Sequence, residues 1–167
     1  MLLVDTNVLL EATDEARGHH GEARRLVESH PALALAAQVI REYLAVATRP
    51  ARANGLGLST RDALENVREF RRGIRLLPEE RAILPTFLAL VERTSCAGKR
   101  IHDAHLVATA RVHRVEGIVS LNAADLTTLA DALPVFTPQE ALRRPPTRKS
   151  APGKPRRRRS SSKGRAT

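Results

Sequence analysis

The chain has 167 residues, a length that suits one domain and a short appendage. A single cysteine, Cys96, excludes an internal disulfide and a zinc site built from cysteines, and no apolar run approaches the length of a membrane span. Because aromatic residues make up only 2% of the chain, its core must be built from Leu, Val, Ile and Ala. These features favour a cytoplasmic protein that does not enter a membrane.

The net charge of +10 is concentrated at the C-terminal end of the chain. Of the 28 lysines and arginines, 11 lie from Arg143 onward, where there is no acid, which leaves 17 basic against 18 acidic residues in the rest. We therefore predict a nearly neutral domain over residues 1–142 and a disordered basic tail over residues 143–167. The tail either contacts a polyanion without reading its sequence or only keeps the protein soluble.

Short apolar runs alternate with amphipathic segments along the first 142 residues. The apolar runs predict strands at residues 2–4, 32–37, 76–77, 117–119 and 134–136. The amphipathic segments predict helices at residues 22–29, 38–48, 59–72 and 78–98, around residues 103–110, after residue 122 and from residue 138. This alternation predicts an α/β fold of three layers, in which helices flank a small, mostly parallel sheet.

The first candidate site residue is Asp5, which directly follows the opening strand. An ionised carboxylate among apolar neighbours is unfavourable unless something compensates it. Two interpretations fit. Asp5 holds a divalent cation at the carboxyl end of the strand, where open α/β sheets bind ligands, or it caps a turn or helix through the amides of Asn7 or Val8.

Further acids follow the same logic. Glu42 lies off the apolar stripe of its helix, and Asp103 stands in the first turn of a helix on the face that also carries Leu106. Asn122 and Asp125 come just after a strand, where Asn122 is also placed to cap the next helix. His102 and His105 are interpreted as surface residues.

The predicted topology brings these acids to one edge of the sheet. Several carboxylates in one cleft raise each other's pKa values, and Mg²⁺ or Mn²⁺ relieves their repulsion. Such ions activate water and stabilise the charge that develops at a phosphate. The sequence therefore indicates phosphate chemistry without a covalent nucleophile.

Four blocks of this sequence, taken in order, resemble the PIN-domain ribonucleases, and in particular the VapC toxins of type II toxin–antitoxin systems. The resemblance covers about residues 1–140 and is carried by Asp5-Thr6-Asn7-Val8-Leu9, Arg41-Glu42-Tyr43, His102-Asp103-Ala104 and Ser120-Leu121-Asn122-Ala123-Ala124-Asp125-Leu126.

The resemblance implies that Asp5, Glu42 and Asp103 coordinate Mg²⁺ or Mn²⁺. Asn122 stands where relatives often have aspartate, so that either Asn122 or Asp125 completes the metal site. It also implies that the residues orienting these ligands are Asn7 and Ser120.

The function implied by the resemblance is that of a metal-dependent endoribonuclease held inactive by a VapB-like antitoxin, and homodimers are expected. Lys99 and Arg100, just before Asp103, are expected to contact the RNA phosphate. The alternative is a catalytically weak nucleic-acid-binding module anchored by its basic tail, and a related nuclease that cuts DNA would differ only in its substrate. The tail is not part of the family pattern.

Overall fold

The computed structural model describes residues 1–144. Of the predicted tail it describes Arg143, the last residue of the final helix, and Arg144, whose guanidinium carbon lies 4.3 Å from the centre of the Phe136 ring. Residues 145–167, and with them the predicted disorder, lie outside the described residues. No helix among residues 1–144 combines the length and the apolar character needed to cross a membrane.

Five short parallel strands form one sheet at the centre of the fold. They are β1 (Leu2–Val4), β2 (Leu33–Leu35), β3 (Arg75–Leu76), β4 (Gly117–Val119) and β5 (Val135–Phe136). Their order across the sheet is β3-β2-β1-β4-β5, and every pairing is parallel. The α/β fold with a small parallel sheet is thereby confirmed.

The register of the central strands sets the position of the site. Every residue of β1, β2 and β4 is buried, which explains why these strands are apolar without alternation. Val4 of β1 pairs with Val119 of β4, so the two strands end at the same level. The residues that follow them, Asp5 and Ser120, therefore meet at one edge of the sheet.

Eight α-helices flank the sheet in residues 1–144. They are α1 (Thr6–Thr13), α2 (His20–Ser29), α3 (Ala37–Ala47), α4 (Thr60–Gly73), α5 (Ile83–Thr94), α6 (Arg100–Val112), α7 (Ala123–Ala130) and α8 (Pro138–Arg143). Helix α1 packs on α2 and α3, and α8 packs on α2, whereas α6 packs on α5 and α7. The helices thus form two groups, and each group contributes acids to the same edge of the sheet.

Helix α5 differs from the prediction. The start signal at Pro78 predicts a helix from residue 78 to about residue 98, with a kink or a break at Pro85, but the helix runs from Ile83 to Thr94. Pro85 explains the later start, because in the observed helix it occupies the first turn, where amide groups have no partner within the helix. A helix from residue 78 would have placed this proline in its interior.

The loop between α3 and α4 requires glycine at residue 55. A Cβ atom added there would lie 2.0 Å from the carbonyl oxygen of Arg49, which accepts a hydrogen bond from the amide of Gly57 at 2.8 Å. We expect Gly55→Ala to lower the free energy of unfolding by about 2–3 kcal/mol, because the backbone must move. Gly21→Ala is the control, since Gly21 lies in α2 with nothing near its Cβ position, and it is expected to be neutral or stabilising. Equal urea midpoints for the two variants would contradict this prediction.

Candidate active site

Asp5 occupies the junction between β1 and α1. It is the N-cap residue of α1, and its Oδ1 accepts a hydrogen bond from the amide of Thr6 at 2.6 Å. The capping interpretation of Asp5 is therefore correct in kind, although the partner is Thr6 and not Asn7 or Val8. The second carboxylate oxygen, Oδ2, accepts hydrogen bonds from the side chain of Ser120, which follows β4, and from that of Asn7 in α1, so that it takes no part in capping.

Two polar side chains hold Asp5 Oδ2. Ser120, which is fully buried, donates its hydroxyl at 2.6 Å, and the Asn7 amide nitrogen Nδ2 donates at 2.8 Å. Asn7 is itself fixed, because its Oδ1 accepts the amide of Leu121 at 3.1 Å. The structure thus places Asn7 and Ser120 where they orient the Asp5 carboxylate.

Glu42 reaches the site from α3. Its Oε2 accepts the hydroxyl of Thr6 at 2.8 Å, which connects it to the residue that follows Asp5. Its Oε1 accepts the side-chain amide of Gln38 at 2.7 Å and lies 2.9 Å from His102 Nδ1. Because the Glu42 side chain is 29% exposed, its carboxylate lies at the border between the protein and the cleft.

Asp103 lies in the first turn of α6, near enough to Glu42 for the two carboxylates to interact electrostatically. Burial raises the pKa of Asp103, and the carboxylates of Asp125 and Glu42 raise it further, whereas Arg100 and His102 oppose this increase. The electrostatic interaction with Asp125 indicates that α7 brings a further acid near Asp103.

The pKa of Asp5 is raised chiefly by burial and to a smaller extent by nearby acids. Burial raises the pKa of Asp5 from 3.8 to about 6, against the hydrogen bonds from Ser120 and Thr6, which lower it. The nearby carboxylates of Asp103 and Glu42 raise it further. Asp5 after β1, Glu42 of α3 and Asp103 of α6 therefore lie near enough to interact electrostatically, and their joint role in a metal site stays a prediction.

Asn122 does not act as predicted for a helix cap. It occupies the N-cap position of α7, but its side chain makes no capping hydrogen bond, and the residue is exposed. Only its backbone amide contributes to the site, by donating to Ser120 Oγ at 3.0 Å. Whether Asn122 or Asp125 completes a metal site stays a prediction.

Two arginines fix the helix that carries Asp125. Arg93 and Arg111 each donate to the carboxylate of Asp131 just after α7, at 2.7 and 2.6 Å, and these bonds lower the pKa of Asp131. Arg111 also donates to the carbonyl groups of Leu129 and Ala130 at 3.2 and 3.3 Å. The end of α7 is thereby attached to α5 and α6.

The predicted phosphate contacts lie at the rim. Lys99 and Arg100 are both exposed, and Arg100 donates from Nη2 to the hydroxyl of Thr128 at 2.6 Å. This bond directs Arg100 towards α7 and leaves further guanidinium N–H groups for another acceptor. Their contact with a phosphate stays a prediction.

Sequence reasoning missed the polar partners of Glu42. His105 was predicted to be a surface residue, but it is half-buried and its Nδ1 lies 2.5 Å from Gln38 Oε1. His102 is exposed as predicted, yet it contacts Glu42. Because Gln38 and Glu42 are four residues apart on one helix, they share a face, and this spacing was the signal that could have identified Gln38.

The carboxylates suit a hard divalent cation, since their oxygens are the ligands that Mg²⁺ prefers and burial disfavours the charge of Asp5. Within residues 1–144, however, no three His, Cys, Asp or Glu side chains are close enough together to form a ready metal-binding group. The oxygens of Asp5 and Glu42 accept internal hydrogen bonds, and an ionised carboxylate has further lone pairs for another partner. The donor chemistry fits Mg²⁺ or Mn²⁺, and shared ligation requires side-chain rearrangement.

The fold and this site define an α/β domain with an acidic cleft at the carboxyl edge of a parallel sheet. The model of the PIN domain family matches residues 2–127, and the chain belongs to that family. It is also 34% identical over 122 residues to Ribonuclease VapC48 of Mycobacterium tuberculosis, a match that covers 70% of this chain and 83% of the relative.

Solved structures share the fold at lower sequence identity. VapC20 of Mycobacterium tuberculosis, a toxin that cleaves the Sarcin-Ricin loop, gives a TM-score of 0.60 at 15% identity over 77% of this chain and 95% of that one. VapBC2 from Rickettsia felis, bound to a DNA fragment from its promoter, gives a TM-score of 0.61 at 11% identity over 81% of this chain and 97% of that one. These similarities establish the common architecture.

Proposed function

We propose that this protein is a metal-dependent endoribonuclease and the toxin of a VapBC-type toxin–antitoxin pair. The observation that carries the proposal is the convergence of Asp5, Glu42 and Asp103, whose carboxylates interact in one cleft of a PIN domain. The relationship to Ribonuclease VapC48 supports RNA as the substrate. The predicted cytoplasmic location agrees with such a substrate.

Asp5, Glu42 and Asp103 would hold Mg²⁺, or Mn²⁺ in its place. We favour Asp125 over Asn122 as the residue that completes this set, because Asp125 interacts electrostatically with Asp103. When bound, the ion lowers the pKa of water and stabilises the negative charge that develops on the phosphate.

The other residues of the site position these groups. Ser120 and Asn7 orient Asp5, and Thr6 orients Glu42 through its hydroxyl. Arg100 and Lys99, at the start of α6, would bind the RNA phosphate at the rim of the cleft. The positive charges at the rim offset the repulsion between RNA and the acids within.

A VapB-like antitoxin is the proposed protein partner. A solved toxin–antitoxin complex from Klebsiella pneumoniae supports this partner, since it shares the fold with a TM-score of 0.53 at 24% identity over 83% of this chain and 98% of that one. A homodimer of this chain also stays a prediction. The search for a partner starts with the reading frame next to this one, which is expected to encode a small antitoxin.

The proposal is tested by RNA cleavage. Purified full-length protein is expected to cleave RNA with Mg²⁺ or Mn²⁺ and to be inactive in EDTA. Asp103→Asn should reduce cleavage by about 10²–10³-fold or more, because it removes a negative ligand, whereas Glu92→Gln, a change in an exposed acid of α5, should have no effect. Cleavage that is equal in EDTA, or equal in Asp103→Asn and wild type, would refute the proposal.

The second candidate is a nucleic-acid-binding module with little catalytic activity. It is favoured by the absence of a ready three-residue metal group within residues 1–144. In that case the protein binds RNA or DNA without cleaving it under any metal condition, and Asp103→Asn leaves binding intact. The same cleavage and binding assays therefore separate the two candidates.

A further inference from the structure

The side chain of Gln38 forms a polar connection between α3 and α6. Gln38 is only 6% exposed, and its Nε2 donates to Glu42 Oε1 at 2.7 Å and to the carbonyl oxygen of His102 at 2.9 Å. Its Oε1 lies 2.5 Å from His105 Nδ1. One buried amide thus contacts a site acid on its own helix and two residues that flank Asp103 on the other helix.

These contacts define the orientation of the amide. Both acceptors of Nε2, a carboxylate and a carbonyl group, lack a hydrogen to donate in return. The reverse orientation would point the amide oxygen of Gln38 at two other oxygens. Oε1 therefore faces His105, and the ring of His105 must carry its hydrogen on Nδ1 to donate this bond.

The two helices that carry Glu42 and Asp103 have their main packing partners elsewhere. Helix α3 packs chiefly on α1 and α4, and α6 packs chiefly on α5 and α7. Two polar connections therefore link Glu42 to α6: the one through Gln38 and the direct contact of His102 Nδ1 with Glu42 Oε1. The ring of Phe87 packs edge-on against His105, with the ring centroids 5.4 Å apart. This contact restrains the imidazole.

We infer that Gln38, oriented by His105, is a positioning residue that holds the Glu42 carboxylate towards Asp103 and thereby increases the affinity of the cleft for a divalent cation. The inference rests on the proposed function, since it concerns the same site. Residues that orient metal ligands commonly change metal affinity by about 10–100-fold. Loss of the amide should therefore weaken the metal site more than it weakens RNA binding.

The experiment measures Mn²⁺ binding by calorimetry on the full-length protein. Gln38→Met keeps the length of the side chain and removes its hydrogen bonds, and it is expected to raise the Kd for Mn²⁺ by about tenfold or more. RNA binding in EDTA should stay at the wild-type level. In cleavage assays kcat should fall while KM for RNA stays constant.

A pair of variants at His105 tests the orientation. His105→Leu removes the donor to Gln38 and should weaken Mn²⁺ binding, whereas His105→Asn places an amide near the position of Nδ1 and should restore much of the affinity. If Gln38→Met does not fold, this pair decides the question by itself.

Tyr43→Phe is the matched control on α3. It removes a buried hydroxyl that contacts Thr13 and Asn66 at 3.1 and 2.9 Å, and should lower stability without changing the Kd for Mn²⁺. Wild-type Mn²⁺ affinity in Gln38→Met, or an equal loss in Tyr43→Phe, would overturn the inference while leaving the proposed function intact. A wild-type protein that neither binds Mn²⁺ nor cleaves RNA would overturn both.

Discussion

Asp5→Asn is expected to abolish metal-dependent RNA cleavage while leaving the metal-free protein at least as stable as the wild type at pH 7. The loss of activity should reach about 10²–10³-fold or more, because the change removes the negative charge that would hold the ion nearest the sheet. The unchanged or increased stability follows from the unfavourable burial of that same charge. The two effects should therefore have opposite signs in one variant.

The pH dependence of the difference in stability gives the clearer measurement. The pKa of Asp5 is about 6 in the folded protein, compared with 3.8 ordinarily, so the folded state binds more protons than the unfolded state between these values. The contribution of Asp5 to the free energy of unfolding of the wild type must then fall as pH rises from about 4 to about 6, and stay level above that. The full pKa shift corresponds to a gain of at most about 3 kcal/mol in the stability of Asp5→Asn over the wild type. The free energy lost from the hydrogen bonds that the substitution weakens reduces this gain.

Urea unfolding of both proteins in EDTA between pH 4 and pH 7 tests this expectation. Burial lowers the pKa of His30 and raises the pKa of Asp103, but both groups are present in both proteins, so their effects largely cancel in the difference. The advantage of Asp5→Asn should grow with pH up to about pH 6. A difference in stability that does not change with pH would show that burial of the charged Asp5 carboxylate does not destabilise the folded protein.

Deletion of residues 145–167 is expected to weaken RNA binding by about 10²-fold at low salt without moving the cleavage site. The deleted segment carries nine lysines and arginines and no acid. Its contacts with phosphates would release counterions, which is a sequence-independent contribution. The slope of log K against log salt is negative, and its magnitude should therefore decrease by up to about 6 if nine contacts with single-stranded RNA are lost.

Replacement of Arg156, Arg157, Arg158 and Arg159 by glutamine is the matched control, because it removes four charges and keeps the length of the tail. It should lower the salt slope by up to about 3. A truncated protein with a changed cleavage pattern and wild-type affinity would refute the predicted role of the tail. Unchanged affinity together with an unchanged pattern would identify the tail as a solubilising segment only.

The alternation of the sequence was sufficient to predict the sheet and the meeting of the residues that follow β1 and β4. The apolar run before Asp5 and the run before Ser120 are both strands, and their parallel pairing brings the two residues together. The placement of Glu42 beside an apolar stripe and of Asp103 in a first turn also agrees with the structure. Such local patterns are informative because helices and strands bury residues with different periods.

Local signals were less reliable where several competed. No helix is predicted directly after Asp5, where only three apolar residues stand in a row, but the helix α1 forms there. The start signal at Pro78 was overridden by the position of Pro85, and Asn122 stands at a helix start without capping it. Each of these outcomes depends on how the flanking residues are anchored by the rest of the fold.

The sequence by itself determined the order of the elements, the parallel sheet and the edge at which the acids collect, because these follow from which residues avoid water. Only the tertiary structure decided that Gln38 and His105, 67 residues apart, share a hydrogen bond and that His102 contacts Glu42. Hydrogen bonds between distant segments depend on the distance and rotation of packed helices. Neither quantity is encoded in the hydrophobic period of a single segment.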